Sequence, residues 1–291
     1  MDYIPVGQAS RERKVMPKPS NRNEIVHAFG TTSRVPCRGS TYSVLVLPDI
    51  HVPYEDKRTI AAVERYMAAN TFDHYIQLGD LGDYQWASSH DKDYPLRTEG
   101  LRIQTQYEQI NEMLSRHEEL LLGNNPDCRM TLLEGNHEYR VEAYMERNPE
   151  LAGLVGVERS LVLAERGAEW VRCYSLGQSY KLGKCLFHHG KSISPTHAKR
   201  MVEDYGHNIV YGHTHDVAVQ PKVQLGRDAT IAGRSIGFLG RYDMPYIVHN
   251  PTKWQQAFAV MYFQPSGAFN IFVVEIFNHS FTAPDGKFYK G

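Results

Sequence analysis

Five short apolar segments of the chain are each followed at once by a cluster of polar residues. The clusters are Asp49-Ile50-His51, Gly79-Asp80-Leu81-Gly82-Asp83, Gly135-Asn136-His137-Glu138, Phe187-His188-His189-Gly190 and Gly212-His213-Thr214-His215. The apolar segments before them are typical of buried β-strands. Because ligands of open α/β sheets bind at the carboxyl ends of strands, this order predicts a sheet-based domain with one polar site at its strand ends.

The spacing of apolar residues predicts alternating strands and helices in the first half of the chain. Strands are predicted at 42–47, 73–78 and 129–133, and helices at 55–69, 99–122 and 138–166, the last interrupted near Pro149. A polar loop is predicted at 84–98, and further strands are predicted at 185–188, 208–211, 257–263 and 270–276. This order favours an α/β sandwich with a mixed central layer over a purely doubly wound sheet.

Composition and charge exclude several classes of protein. The 291 residues suit one α/β domain with appendages or two small domains. The 32 basic and 33 acidic residues give no global bias toward nucleic acid or membrane. No apolar run approaches the roughly 18 residues of a membrane span, and the N-terminus lacks the apolar stretch of a secretory signal. Four scattered cysteines favour a reducing compartment, so we expect a cytoplasmic protein without membrane contact.

Residues 1–40 differ from the rest of the chain. They are polar, contain four prolines and carry seven Lys or Arg against three acidic residues, a net charge of +4. We predict a basic N-terminal arm over 1–40, either poorly ordered or draped on the domain, and one folded domain over 41–291. A role of the arm in binding a partner or nucleic acid is the alternative.

The spacing within the clusters lets several metal-ligand residues face one point. Residues i and i+2 of an extended chain point to the same side, so Asp49 and His51 can converge on one ion. His213 and His215 have the same spacing. Asp80 directly follows its strand, where its two carboxylate oxygens can bridge two cations.

Other cluster residues have roles that the pattern leaves open. Only one of His188 and His189 is expected to reach the site, because adjacent strand residues face opposite sides. His137 follows Asn136, whose carbonyl oxygen is a neutral ligand, and can act as a general acid beside the metals. Glu138 either orients His137 or caps the following helix.

The clusters, taken in order over about residues 43–216, resemble the motif set of the calcineurin-like metallophosphoesterases. The resemblance implies a four-layer α/β/β/α sandwich with two mixed sheets and a dimetal centre at their loop end. The ligands it implies are Asp49, His51 and His215 for one metal, Asn136, His189 and His213 for the other, and Asp80 bridging both. It prefers His189 to His188 because the family motif places Gly directly after the ligand, and His137 matches the histidine that assists leaving-group departure.

Two further comparisons of motifs narrow the branch of the family. Protein Ser/Thr phosphatases of this superfamily carry Gly-Asp-x-Val-Asp-Arg-Gly, whereas residues 79–85 lack that Arg, which argues against protein dephosphorylation. A second likeness is to phage- and prophage-encoded metallophosphoesterases, which are often labelled DNA-repair exonucleases. It rests on residues 135–140, on the loop that contains Trp86, and on three later aromatic residues, Tyr246, Trp254 and Phe258. A phage-encoded protein would work in the host cytoplasm.

The resemblance implies a hydrolase of phosphate esters that uses two divalent metal ions without a covalent enzyme intermediate. Mixed nitrogen and oxygen ligands favour Mn, with Fe, Ni or Zn as alternatives, over Mg or Ca. We predict a phosphodiesterase or nuclease that acts on DNA, other nucleic acid or nucleotides. The alternatives are a phosphomonoesterase acting on a small molecule or a phosphorylated end, and a non-catalytic scaffold subunit. The oligomeric state is open, with a homodimer among the alternatives.

Three residues near the clusters are predicted substrate contacts. Arg140 can hold a non-bridging phosphate oxygen, or it is a solvated helix residue. Trp86 and Tyr84, with His90, can form a wall above the metals on which a base stacks. Core packing of the loop is the alternative for Trp86. Asp83 is either a hydrogen-bond acceptor behind the ligands or a turn residue, and we favour the turn residue.

Overall fold

A computed structural model describes residues 35–37, 39, 41–89, 95–223, 230–245, 247 and 252–291. The predicted N-terminal arm, apart from residues 35–37 and 39, lies outside the described residues, as do His90 and Tyr246. Among the described residues, no helix combines the length and the apolar character that crossing a membrane requires.

The described residues form strands and helices in the following order. They are β1 (Tyr42–Leu47), α1 (Lys57–Ala69), β2 (His74–Gln77), α2 (Pro95–Thr98), α3 (Ile103–Asn124), β3 (Arg129–Leu133), α4 (Asn136–Arg147), α5 (Val157–Ser160), β4 (Glu169–Val171), β5 (Tyr180–Leu182), β6 (Cys185–His188), α6 (His197–Tyr205), β7 (Asn208–Tyr211), β8 (Val217–Val223), β9 (Thr230–Ile236), β10 (Ala257–Phe263), β11 (Phe269–Glu275), β12 (Ser280–Thr282) and β13 (Phe288–Lys290). Short 3-10 helices lie at Gln85–Ala87 and Pro149–Leu151.

These strands form two large mixed sheets and one hairpin. The first sheet has six strands in the order β11-β10-β1-β2-β3-β4, in which β1 to β4 pair in parallel and β10 and β11 pair antiparallel. The second has five strands in the order β5-β6-β7-β9-β8, with β6, β7 and β9 parallel. β12 and β13 form the separate hairpin.

Alternation of side chains along the inner strands produces four layers. Leu45 of β1 belongs to the core between the first sheet and helices α1 and α3, whereas its neighbour Val46 packs with Phe187 in the core between the sheets. On the outer face of the second sheet, Ile209 packs with Met201 of α6. Each such fully buried side chain contributes about 1.5–3 kcal/mol. The order helices, sheet, sheet, helix confirms the predicted four-layer α/β/β/α sandwich.

Helix boundaries depart from the predictions where local chemistry decides them. Helix α1 begins at residue 57 instead of 55 because the Asp56 carboxylate accepts hydrogen bonds from the amides of Arg58 and Thr59, both at 3.1 Å. The interruption predicted near Pro149 is confirmed, since α4 ends at Arg147 and Pro149 starts a 3-10 turn. Beyond it the predicted helix was wrong, because the chain up to residue 166 contains only the four-residue α5. The predicted loop 84–98 contains the short helix α2 and a 3-10 turn.

Several strands and one helix carried too weak a signal for prediction. β4, β5, β12 and β13 have three residues each, so no alternating pattern can develop in them. β8 lies at the edge of its sheet, with mostly exposed side chains and Pro221 in its middle. Helix α6 was not predicted, although its inner face buries Ala198, Met201 and Val202. The predicted strand at 270–276 is β11, shifted by one residue.

Candidate metal centre

The five polar clusters meet at one edge of the paired sheets, in the loops that follow β1, β2, β3, β6 and β7. Backbone hydrogen bonds join these loops. The amides of Ile50 and His51 both donate to the Asp80 carbonyl, at 3.0 and 2.9 Å, and the Gly212 amide donates to the His189 carbonyl at 2.9 Å. Parallel neighbours in each sheet place these loops side by side, so the structure brings the predicted residues into one site.

Glycines in the clusters allow the loops to approach each other closely. A Cβ atom on Gly135 would collide with an Asp80 carboxylate oxygen, and one on Gly212 would collide with an Asp49 carboxylate oxygen. The space at Gly212 lets the His213 amide donate to Asp49 Oδ1 at 2.9 Å. These glycines therefore hold the carboxylates in place through backbone contacts.

The cluster residues do not converge in the way that strand geometry suggested. β1 ends at Leu47 and β7 ends at Tyr211, so the Asp and His residues lie beyond the strands. Five of the seven predicted ligands have a left-handed backbone, with φ values of 26° for Asp49, 59° for His51, 52° for Asp80, 70° for His213 and 59° for His215. Such conformations cost about 1–3 kcal/mol each and concentrate at functional sites. The extended-chain argument was wrong, and loop conformation aims these side chains.

The first group of donor atoms comes from Asp49, His51, Asp80 and His215. Nε2 of His51 lies 3.0 Å from Nε2 of His215, which lies 3.3 Å from Asp49 Oδ1. Burial lowers the pKa of His51 and lowers that of His215 to about 3, so both imidazoles are neutral near pH 7. Two neutral nitrogens facing each other beside carboxylates are suited to a shared cation.

The second group comes from Asp80, Asn136, His189 and His213. Nε2 of His189 lies 3.2 Å from Asp80 Oδ2 and 3.0 Å from Asn136 Oδ1, and His213 Nδ1 lies 2.8 Å from the same Asn136 oxygen. Nδ1 of His189 faces the Leu78 carbonyl at 2.8 Å, and donation there leaves the lone pair of Nε2 in the site.

The electrostatics of the second group favour a positive charge within it. Burial lowers the pKa of His189, but the carboxylates of Asp80 and Asp49 outweigh burial and raise it to about 9. Burial, reinforced by the charge of His189, lowers the pKa of His213 to about 4. A bound cation would supply the charge that these carboxylates attract, and the mixed nitrogen and oxygen donors fit a transition metal.

Asp80 is the residue that the two groups share. Its Oδ2 lies 3.8 Å from His51 Nε2 of the first group and 3.2 Å from His189 Nε2 of the second. Its Oδ1 accepts a hydrogen bond from the His137 amide at 2.9 Å. This carboxylate could therefore serve both groups as a donor.

His188 and His189 point to opposite sides, as the strand pleat requires. Nδ1 of His188 accepts a hydrogen bond from the Gly190 amide at 2.8 Å, and its ring packs 5.4 Å from the Tyr205 ring of α6. His188 therefore faces the outer helix layer, whereas His189 faces the donor groups.

His137 lies beside Asp80 with one ring nitrogen directed into the site. Its Nδ1 lies 2.8 Å from the Asp83 carbonyl and its Nε2 lies 3.7 Å from Asp80 Oδ2. Burial lowers the pKa of His137, but Asp80 and Asp83 outweigh burial and raise it above the usual 6.5.

The Asp83 carboxylate lies 3.3 Å from His51 Nδ1 and 3.4 Å from His137 Nδ1, so the interpretation of Asp83 as a turn residue was wrong. Nη1 of Arg140 donates to the Asp83 carbonyl at 3.2 Å.

Residues 42–217 match the family described as Calcineurin-like phosphoesterase. The chain belongs to this family. Metal-dependent hydrolysis of phosphate esters is the activity that the family and the Asp and His cluster support.

Solved structures similar to this phosphoesterase include three of Vps29. They are Vps29 from Chaetomium thermophilum (12% identity, TM-score 0.41, 86% of this chain and 93% of that one), Vps29 from Cryptosporidium parvum (12%, 0.39, 81% and 98%) and wild-type Vps29 complexed with Zn²⁺ from Entamoeba histolytica (14%, 0.40, 86% and 97%). At this identity the likeness concerns the fold alone. The comparison with curated proteins found no match.

Glu138 supports the metal centre of this phosphoesterase from behind. Its carboxylate accepts hydrogen bonds from the amides of Gly135 and Asp80 at 2.8 Å, Leu81 at 2.9 Å and Gly82 at 3.2 Å. Burial raises the pKa of the Glu138 carboxyl to about 7, although the hydrogen bonds from the amides lower it. Of the two predicted roles, capping of α4 is the one observed. The same carboxylate also fixes the turn that carries Asp80.

Glu138→Ala is expected to weaken both stability and metal binding. The substitution leaves four buried amides without their acceptor, which should lower the free energy of unfolding by about 3 kcal/mol or more. Loss of a group that supports ligands should reduce metal affinity about 10- to 100-fold. Urea unfolding and Mn titration measure both effects, with exposed Glu146→Ala of the same helix as the control. Wild-type values for both quantities would contradict this role.

Tyr84 and Trp86 of the predicted substrate wall pack with the core of the protein. Tyr84 has no exposed surface and packs 5.7 Å from the Tyr107 ring, so it belongs to the core and not to a substrate surface. Trp86 packs 5.5 Å from the Tyr144 ring of α4, against the core between helices and first sheet. For Trp86 the alternative of core packing is the one observed.

Other aromatic rings contact the histidines of the two donor groups. The sequence analysis named Trp254 only as part of a family likeness, and it gave no signal for the others. Phe238 stacks on His215 at 5.0 Å and an interplanar angle of 11°, and Trp254 meets the same ring edge-on at 4.6 Å. Tyr174 lies 5.7 Å from the His189 ring. These residues lie outside the clusters in the chain, so only the fold shows that they contact the histidines.

Proposed function

We propose that this phosphoesterase hydrolyses phosphodiesters of nucleotides or nucleic acid with two divalent cations, one in each donor group. The observation that carries the proposal is that one carboxylate, Asp80, belongs to both groups while His137 stands beside it. We assign the ligands as the family resemblance implies, with Asp49, His51 and His215 in the first group, Asn136, His189 and His213 in the second, and Asp80 in both. Mn is the favoured metal, with Fe, Ni or Zn as alternatives.

Bound cations supply Lewis-acid activation of the phosphate and of the attacking water. His137 provides the leaving-group proton in this proposal. Donation of its Nδ1 proton to the Asp83 carbonyl directs Nε2 toward Asp80, and the carboxylates of Asp80 and Asp83 favour the protonated ring. The Arg140 side chain is 25% exposed, and its contacts with Asp83 are made by Nη1. The other guanidinium nitrogens can hold a phosphate oxygen.

A paired assay tests the choice of substrate. Hydrolysis of bis-p-nitrophenyl phosphate and of p-nitrophenyl phosphate is measured with Mn, followed by cleavage of labelled single- and double-stranded DNA at several salt concentrations. The proposal predicts faster diester hydrolysis and an affinity for DNA that falls with salt. Preference for the monoester would instead indicate a phosphomonoesterase. No hydrolysis by fully metal-loaded protein would contradict the proposal and leave the scaffold alternative.

Removal of metal is expected to stop hydrolysis and to destabilise the fold. A ligand at 100 times its Kd stabilises the native state by about 2.7 kcal/mol, so chelation should lower the Tm by about 5–10 °C. Calorimetry before and after EDTA, and again after Mn addition, measures the effect. The Asp80→Ala variant is the control, because it should show no response to EDTA. If EDTA leaves the Tm of the wild type unchanged, the expected stabilisation of the folded protein by bound metal is contradicted.

A further inference from the structure

Two tyrosine rings form a continuous aromatic surface beside the second donor group. The Tyr174 ring lies 5.7 Å from the ring of His189 and 6.3 Å from that of His213. The Tyr139 ring follows at 6.2 Å from Tyr174, with an interplanar angle of 35°. Tyr139 is 41% exposed. The surface thus runs from the ligand histidines out to solvent.

A buried carboxylate holds Tyr174 in place relative to the donor atoms. Glu134 is 1% exposed, and its Oε2 accepts hydrogen bonds from the amides of Tyr174 and Ser175 at 2.9 and 2.7 Å and from the Ser175 hydroxyl at 2.8 Å. Glu134 lies two residues before Asn136 of the second group. Burial of a carboxylate is costly unless hydrogen bonds compensate it, so this contact is a specific anchor between the tyrosine loop and the ligand loop.

The positions of the tyrosines and of His137 divide the site into two sides. His137 lies next to His51, with ring centroids 4.6 Å apart, and therefore beside the first group. Tyr174 contacts the histidines of the second group. If His137 serves the leaving group, the tyrosines lie beside the substituent that stays on the phosphate.

We propose that Tyr139 and Tyr174 form a platform on which the base of the retained nucleotide stacks. This inference rests on the proposed function and specifies its substrate as a nucleotidyl phosphodiester. Stacking on an aromatic side chain strengthens binding of a base by about 5- to 150-fold, and it tolerates any base because every base has a π-face. The platform takes the role that the sequence assigned to Tyr84, which is buried in the core, and to Trp86, which packs against it.

Two diesters with the same leaving group test the platform. Thymidine 5′-monophosphate p-nitrophenyl ester carries a base on the retained side, and methyl p-nitrophenyl phosphate does not. Wild-type enzyme should prefer the thymidine ester in kcat/KM, and Tyr139→Ala or Tyr174→Ala should reduce that ratio of the two kcat/KM values about tenfold. Tyr139→Phe and Tyr174→Phe should retain the preference. Phe277→Ala, which removes a 68% exposed ring elsewhere, is the control.

The outcomes separate this inference from the proposed function. If both esters are hydrolysed and the ratio of their kcat/KM values is the same in the two alanine variants as in the wild type, the platform is overturned and the proposed phosphodiesterase activity stands. If neither ester is hydrolysed, the proposed function fails, and calorimetric binding of thymidine monophosphate still tests the platform. Tyr139→Ala should then weaken binding about tenfold, and unchanged binding would overturn it. If Tyr174→Ala loses metal or folds poorly, the exposed Tyr139→Ala variant decides the result.

Discussion

Asp80→Ala is expected to lose bound metal and with it at least about 10³-fold in the rate of phosphodiester hydrolysis. The Asp80 carboxylate is the only anionic donor of the second group, whose other members are Asn136, His189 and His213. Without it, that group retains an amide oxygen and two imidazoles, and the first group retains the Asp49 carboxylate and two imidazoles. Several kcal/mol of transition-state stabilisation should disappear with the cations.

Mass spectrometry of the metal content, alongside the rate on bis-p-nitrophenyl phosphate, measures this loss. Asp204→Ala is the matched control, because its side chain is 65% exposed on α6 and its contact with Arg200 at 3.9 Å contributes little. That control should keep wild-type metal content and rate. An Asp80→Ala protein that binds two equivalents of metal and turns over normally would refute the shared-ligand assignment.

His137→Ala is expected to keep its metal and still lose about 10²–10⁴-fold in turnover. Its Nδ1 contacts Asp83 and its Nε2 faces Asp80. The two donor groups that share Asp80 do not include His137. The loss should depend on the leaving group. A p-nitrophenolate ion departs without a proton, so its ester should show the smaller loss, whereas an alkoxide leaving group needs the proton and should show the larger one.

Rates for a series of diesters with leaving groups of rising pKa measure this dependence. The wild type should show a shallow dependence and His137→Ala a steep one. His279→Ala is the control, because this partly exposed histidine contacts Asp56 at 3.0 Å outside the metal centre. Equal losses across the series would show that the His137 side chain does not donate the leaving-group proton. Loss of metal would show that it acts as a ligand.

Predictions succeeded where a residue's role depends on its own short segment. The strands at 42–47, 129–133, 185–188, 208–211 and 257–263 have the predicted bounds, because each is an apolar run with a clear end. Predictions failed where partners from elsewhere decide. Tyr84 was expected at the surface and is fully buried against Tyr107 of α3, and Asp83 was expected in a simple turn and lies against two histidines.

The sequence by itself determined the family of this phosphoesterase and the position of its polar clusters. Residue types and their order identified the strand ends and the Asp, His and Asn side chains that the fold gathers at one edge of the sheets, because each cluster follows an apolar strand. Tertiary structure alone decided how they converge and what surrounds them. A left-handed backbone at Asp80 directs its carboxylate into the site, and Glu138 of α4 accepts a hydrogen bond from the Asp80 amide. A hydrogen bond to Glu134 fixes the backbone of Tyr174 beside the site. Such contacts join segments far apart in the chain, and their geometry follows only from packing two sheets together.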